Sequence, residues 1–160
     1  MLTIRKATLD DSDSIWAILE PTFRAGETYT LPRDISRIDA LRYWFAPDNC
    51  VFVAEEDEIV GTYYLRANQR GGGSHVANCG YMTATRASGR GIARNMCLHS
   101  KQYAKNEGFR AMQFNFVVST NERAVKLWID LGFRVVGTLP GAFAHPRHGY
   151  VDALVLFCEL

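Results

Sequence analysis

A chain of 160 residues, 48% hydrophobic and 22% charged, has the size and balance of one folded domain spanning residues 1–160, able to bury about 70% of its unfolded surface without metals or disulfides. Its formal charge of +1 gives no reason to expect nucleic acid or an anionic membrane as partner, so any anion site has to be local. Cys50, Cys79, Cys97 and Cys158 show no CxxC or CxxH spacing, which argues against a zinc motif or a disulfide framework and for reduced, buried thiols in a cytoplasmic protein. The N-terminal MLTIRKATLDDSDSI lacks the apolar core of a signal peptide, and no apolar run approaches the about 18 residues needed to span a bilayer.

Along the chain, Leu2 and Ile4 alternate with polar neighbours and predict a first strand. Asp10, Asp11 or Ser12 can cap a helix in which Ile15, Ile18 and Leu19 fall at helical spacing until Pro21 interrupts. The polar stretch RAGETYTLPRD, punctuated by an aromatic, reads as a surface binding loop, and IDALRYWF as a second helix ending before Pro47. CVFVAEEDEIVGTYYLRAN predicts a hairpin turning on EEDE. RGGGS is a plain loop rather than a nucleotide loop, because the strand VANCGYMT, not a helix, follows it. A helix from about Ile92 to Asn106 closes at Gly108, FRAMQFNFVVS is an apolar strand, and NERAVKLWIDLG is a helix closed by Gly132. FRVVGTL and YVDALVLFCEL complete the order β-α-α-β-β-β-α-β-α-β-β, a mixed α/β class with helices on the faces of one sheet.

The chemistry concentrates in RASGRGIAR. An apolar strand, a loop of small residues and a helix start bring unpaired amides and the positive helix end to one spot, a ready site for a phosphate. Gly89 and Gly91 permit close backbone approach, Ala93 keeps the first turn slim, and Arg86, Arg90 and Arg94 can add rim charge. A basic turning loop explains the same residues. Neither GK[ST] nor GxGxxG occurs here, which excludes a P-loop and a dinucleotide fingerprint.

The order of elements and this segment together resemble the GCN5-related N-acetyltransferases, whose signature is Gln or Arg, two residues, Gly, one residue, then Gly or Ala. Ser88, Gly89, Arg90, Gly91, Ile92 and Ala93 occupy that register, with Ser88 in place of the Arg or Gln. The resemblance implies that the loop amides hold the pyrophosphate of acetyl-coenzyme A, the co-substrate, and that the strand at Met82, Thr83 and Ala84 pairs with the pantetheine arm. NERAVKLWIDLGF matches the second coenzyme-binding segment, with Asn121 toward pantetheine and Ala124 small enough to let it pass; Asn121 serves equally as a helix cap. Many relatives carry a tyrosine where Trp128 stands. An indole N–H is no usable acid, so Trp128 reads as core or cofactor wall and the coenzyme sulfur leaves protonated by another group or as a thiolate.

The attacking amine must be neutral, yet no Asp or Glu occupies the strand before the loop. Asn78 stands there instead, and Asn115 interrupts the later apolar strand QFNFVV; the two are either paired structurally across the sheet or face each other across the cleft to orient the amine and stabilise the oxyanion. HVANCGYM, FNFVV and YVDA look like the subgroup containing the fungal acetyltransferases of proline analogues such as azetidine-2-carboxylate. That likeness implies catalytic roles for both asparagines.

Asp152 suits strand-edge solvation more than a remote base, and Tyr150 either lines an acceptor pocket or packs. His145 and His148 have HxxH spacing on a Pro/Gly-rich loop without carboxylates, and so no metal is expected; His99 reads as a surface or half-buried residue. The expected activity is direct acetyl transfer to the amine of a small molecule, an amino acid or analogue, selected by Arg24 to Trp44 and Phe143 to Tyr150. Its rivals are acetylation of a protein or peptide terminus and a non-catalytic acyl-coenzyme A sensor. A homodimer is compatible with the sequence, which sets no stoichiometry.

Overall fold

The computed structural model describes residues 1–160. Seven strands form one sheet in the order β1-β2-β3-β4-β5-β7-β6. They are β1 (Thr3–Lys6), β2 (Cys50–Glu55), β3 (Ile59–Ala67), β4 (Val76–Thr83), β5 (Ala111–Val118), β6 (Arg134–His145) and β7 (Gly149–Glu159). Four helices, α1 (Ser12–Ala25), α2 (Arg37–Trp44), α3 (Ile92–Asn106) and α4 (Glu122–Asp130), interleave with them in the order the sequence predicts.

Strand alternation assigns the helices to faces. A side chain at Gly61 would collide with Ile92 and Met96 of α3, whereas the next residue, Thr62, accepts a hydrogen bond from the Trp44 indole of α2 at 3.0 Å. Helices α1 and α2 therefore cover one face of β3 and α3 the other. That double cover explains why seven consecutive residues of β3, Ile59 to Leu65, are buried.

Two segments run longer than their prolines predict. Helix α1 continues through Pro21 to Gly26, which ends it at φ 65°. Pro21 is exposed while Ile15, Ile18, Leu19 and Phe23 are buried, so anchoring Phe23 in the core outweighs the hydrogen bond the ring removes. β6 extends past Pro140 to His145 because the proline falls in a register shift between Leu139 and Phe143, where no ladder donor is needed. Asp152 of β7 accepts from the Gly141 amide at 2.9 Å and pins that bulge. The Pro/Gly-rich loop expected at AHPRHGY is accordingly a tight turn between His145 of β6 and Gly149 of β7.

β4 and β5 are the two parallel neighbours at the centre, and they pair at only two positions, Val76 with Ala111 and Ala77 with Met112. Beyond these the strands diverge. β5 is held on its far side by β7 and β4 by β3, so the gap between them is a built feature of the sheet.

Candidate active site

The gap opens into a cleft of about 750 Å³ that crosses the sheet from the α1–α2 face to the start of α3. Three elements shape its two ends.

At one end, β4 leads through a short turn to the loop before α3. Gly89 and Gly91 have φ of 79° and 80°, a region that side chains resist, and Gly91 occupies the helix N-cap without any side-chain cap. The Ser88 and Arg90 amides turn back to Thr85 and Ala87, and the first helical bond runs from Asn95 to Gly91. That leaves the amides of Gly89, Gly91, Ile92, Ala93 and Arg94 directed outward as a cluster of donors at a helix N-terminus, a geometry that receives phosphate oxygens.

The charge around this loop is distributed differently from the sequence expectation. Arg86 donates to Glu58 at 2.7 Å and to the Ile59 carbonyl, and Arg90 is bound by Glu56. Both are neutralised by the acidic turn between β2 and β3. The cation left over the loop is Arg123 of α4, which approaches Ser88 Oγ at 3.5 Å, lies beside Gly89 and has no carboxylate partner. Its helical position reads in sequence as a solvent-facing charge; only its place two residues after Asn121 ties it to the loop.

Along the middle of the cleft runs the free edge of β4. The Ala84 amide is bonded to Val60 at 2.8 Å and its carbonyl receives Ala87, and Met82 faces its register partner Thr62. Alternation then turns the backbone of Tyr81 and Thr83 into the gap. Of the three residues expected to pair with pantetheine, Thr83 presents its main chain there, whereas Met82 and Ala84 are engaged by β3; Tyr81 joins Thr83, its carbonyl held by the Tyr29 hydroxyl at 3.0 Å. Across the gap, Asn121 stands at the N-cap of α4 with no cap hydrogen bond, and its carboxamide and Ala124 line the cleft. Trp128 is 7% exposed, its ring 5.1 Å from those of Tyr81 and Phe114, and it also borders the cleft. It is core and wall at once.

The other end is a chamber on the α1–α2 face. Gly80 has no side chain because the Tyr64 ring lies over it, 2.6 Å from where a Cβ would stand. The hydroxyls of Tyr64 and Tyr43 are 3.2 Å apart. Asn78, 6% exposed, donates through Nδ2 to the Gln113 carbonyl at 2.9 Å, the last tie across the strands before they part. Its Oδ1 accepts nothing within the protein. Asn115 is exposed rather than buried, donating to Asn68 at 2.6 Å and accepting from Gln113 at 2.9 Å. The two asparagines line one cleft but do not touch; Gln113, unremarked in the sequence, connects them.

The remaining candidates lie elsewhere. Tyr150 is 82% exposed, and no residue from Phe143 to Tyr150 lines the cleft, although Arg147 bridges to Glu27 beside its mouth at 2.6 Å. His145 accepts the Arg147 amide at 3.1 Å. His99, half-buried, bonds the Tyr63 hydroxyl at 2.7 Å behind the sheet, its pKa lowered by burial.

Within the cleft, the charged side chains are Arg66, Arg94 and Arg123, with no aspartate, glutamate or histidine in the lining. Burial raises the phenols of Tyr29, Tyr64 and Tyr81 and the Cys79 thiol well above their ordinary values. The site therefore offers amide donors, carboxamides and neutral hydroxyls, but neither a thiolate nor a base near neutrality.

A sheet split at its centre, with an amide-lined loop at one end of the split, defines a class, and comparison with known proteins agrees. The sequence profile of the acetyltransferase (GNAT) family matches residues 12–133, and the chain belongs to that family of N-acetyltransferases. A GCN5-related N-acetyltransferase from Kribbella flavida superposes with a TM-score of 0.95 at 40% identity, covering 99% of this chain and 98% of that one. N-acetyltransferase aca1 of Schizosaccharomyces pombe is 28% identical over 148 residues, 81% of this chain and 71% of its own. A phosphinothricin acetyltransferase from Sinorhizobium meliloti, solved with acetyl-coenzyme A, shares the fold with a TM-score of 0.86 at 20% identity, over 99% of this chain and 88% of that one. No helix is long and apolar enough to cross a membrane.

Proposed function

We propose that the protein transfers acetyl from acetyl-coenzyme A to the amine of a small molecule, an amino acid or analogue, by direct attack on the thioester. The observation that carries this reading is the single cleft, which runs from the amide-lined loop to the chamber lined by Tyr43, Tyr64, Asn78 and Asn115. The loop amides and Arg123 receive the pyrophosphate, and Asn121 and the Thr83 edge of β4 hold the pantetheine arm. Inward amides on β4 donate to the thioester oxygen as it gains charge. Asn78 Oδ1 accepts from the amine N–H and aims the nitrogen lone pair at the carbonyl carbon.

Cys79 does not compete as nucleophile, because burial keeps its thiol protonated. The tetrahedral adduct collapses with the electron pair leaving on sulfur, and a thiol of pKa about 8.5 is a tolerable thiolate. The amine delivers its proton to water, since no group of the cleft takes it near neutrality. A peptide terminus would need room beyond its amine, and Tyr43 and Tyr64, their hydroxyls 3.2 Å apart, wall the chamber on one side.

Coenzyme A release measured across amino acids, polyamines and peptides should show turnover with small amino acids. Turnover confined to peptides would overturn the reading, as would coenzyme binding without any turnover even above pH 8. With the accepted substrate, log kcat/KM should climb with unit slope until the amine's own pKa and shift when an acceptor of different pKa is used. A plateau at the same pH for every acceptor would instead reveal a base belonging to the protein.

A further inference from the structure

Arg66 is the one charged group at the chamber end of the cleft, and nothing in the protein answers its charge. It lies on β3 as the register partner of Asn78, half-buried, with its guanidinium 5.9 Å from the Tyr64 ring. Its Nε is buried without any hydrogen-bond partner. Most other arginines near the site are satisfied: Arg86 and Arg90 by Glu58 and Glu56, and Arg147 by Glu27. A guanidinium with an orphaned inward N–H is costly to hold unless an anion completes it. The planar fork is matched by a carboxylate.

We infer that Arg66 receives the carboxylate of the acceptor, so that the substrate is an amine bearing a carboxylate a few bonds from its nitrogen. This deepens the acetyl-transfer reading and rests on it. Arg66 and Asn78 are opposite each other on adjacent strands, so the two groups they would hold, carboxylate and amine, fit the span of one amino acid or imino acid. With the carboxylate fixed, the nitrogen is delivered to the thioester in one orientation, and Tyr64 flanks the pair. The lining contains no acid to attract a second ammonium, which disfavours polyamines and basic peptides as acceptors. Arg66 acts as a positioning and selecting residue and takes no part in bond making.

The test compares amino acids with their C-terminal amides in the wild type, Arg66→Gln and Arg66→Lys, with every kcat/KM expressed per neutral amine because the α-amine of an amide ionises at lower pH. For the wild type, kcat/KM should favour the free acid by about 10- to 100-fold, the worth of a charge-assisted pair. In Arg66→Gln that ratio should fall to near one, chiefly through the acceptor KM, with partial recovery in Arg66→Lys. Acetyl-coenzyme A affinity should be unchanged, which verifies the fold and the donor end. Equal loss toward acid and amide, or a wild type that prefers amides or acidic peptides, overturns the assignment. Absence of turnover with any amine would count against acetyl transfer itself. In that event calorimetric binding of N-acetyl amino acids decides Arg66 separately: a 10- to 100-fold weaker affinity in Arg66→Gln supports the site and equal affinity rejects it.

Discussion

Gly91→Glu should abolish acetyl-coenzyme A binding in a chain that still folds. Two effects act together. Gly91 has φ of 80°, where an L residue is strained by about 1–2 kcal/mol. The new carboxylate would also stand among the outward amides of the loop; like charges about 4 Å apart repel by about 4 kcal/mol at an effective dielectric of 20. A loss of at least about 10²-fold in affinity follows. Calorimetry with a thermal melt measures both quantities, and Gly91→Ala isolates the strain from the charge. Binding of Gly91→Glu within a few-fold of wild type would remove the pyrophosphate from this loop.

Asn78→Ala and Asn115→Ala should each lower turnover by about 10²-fold or more, as removal of a group that orients or stabilises the reacting atoms does. Their stabilities should separate. Asn78→Ala removes a part-buried hydrogen bond to the Gln113 carbonyl, costing about 0.5–1.5 kcal/mol, while Asn115 is exposed and its replacement should stay within about 0.5 kcal/mol. A stability loss in Asn78→Ala with turnover intact would identify its carboxamide as a tie between strands and nothing more. Turnover intact in both folded variants would make the whole Asn78–Gln113–Asn115 chain structural.

The element order was legible because hydrophobic period and glycine stops agree along most of this chain. Where they conflict, the sequence misleads. Pro21 and Pro140 look like ends, yet one lies on the solvent side of a helix whose Phe23 must be buried and the other in a bulge pinned by Asp152. The loop before α3 was legible because its signal is local: glycines, small residues and a helix start.

The residues that complete the site were hidden because their meaning is non-local. Arg123 sits on a helix and Arg66 on a strand at positions where a charge normally faces water. Each gains its role from a partner far away in sequence, Ser88 for the first and Asn78 for the second. Conversely, Arg90 stands in the motif itself and Arg86 two residues before it, and their carboxylates lie 34 and 28 residues upstream. Which of Met82, Thr83 and Ala84 faces the gap depends on strand register, which a single sequence does not fix.

The pairing of Arg86 and Arg90 with Glu58 and Glu56 also bears on how the coenzyme is met. A loop rich in glycine would ordinarily sample many shapes, and closing it on a ligand would cost entropy at the moment of binding. Here two ion pairs and the Ile59 carbonyl moor both sides of the loop to the neighbouring β2–β3 turn. The amides are thus aimed before any ligand arrives, and the ordering cost is met during folding. Severing that mooring with Glu56 and Glu58 replaced would loosen the loop even as it freed two positive charges beside the proposed phosphate site.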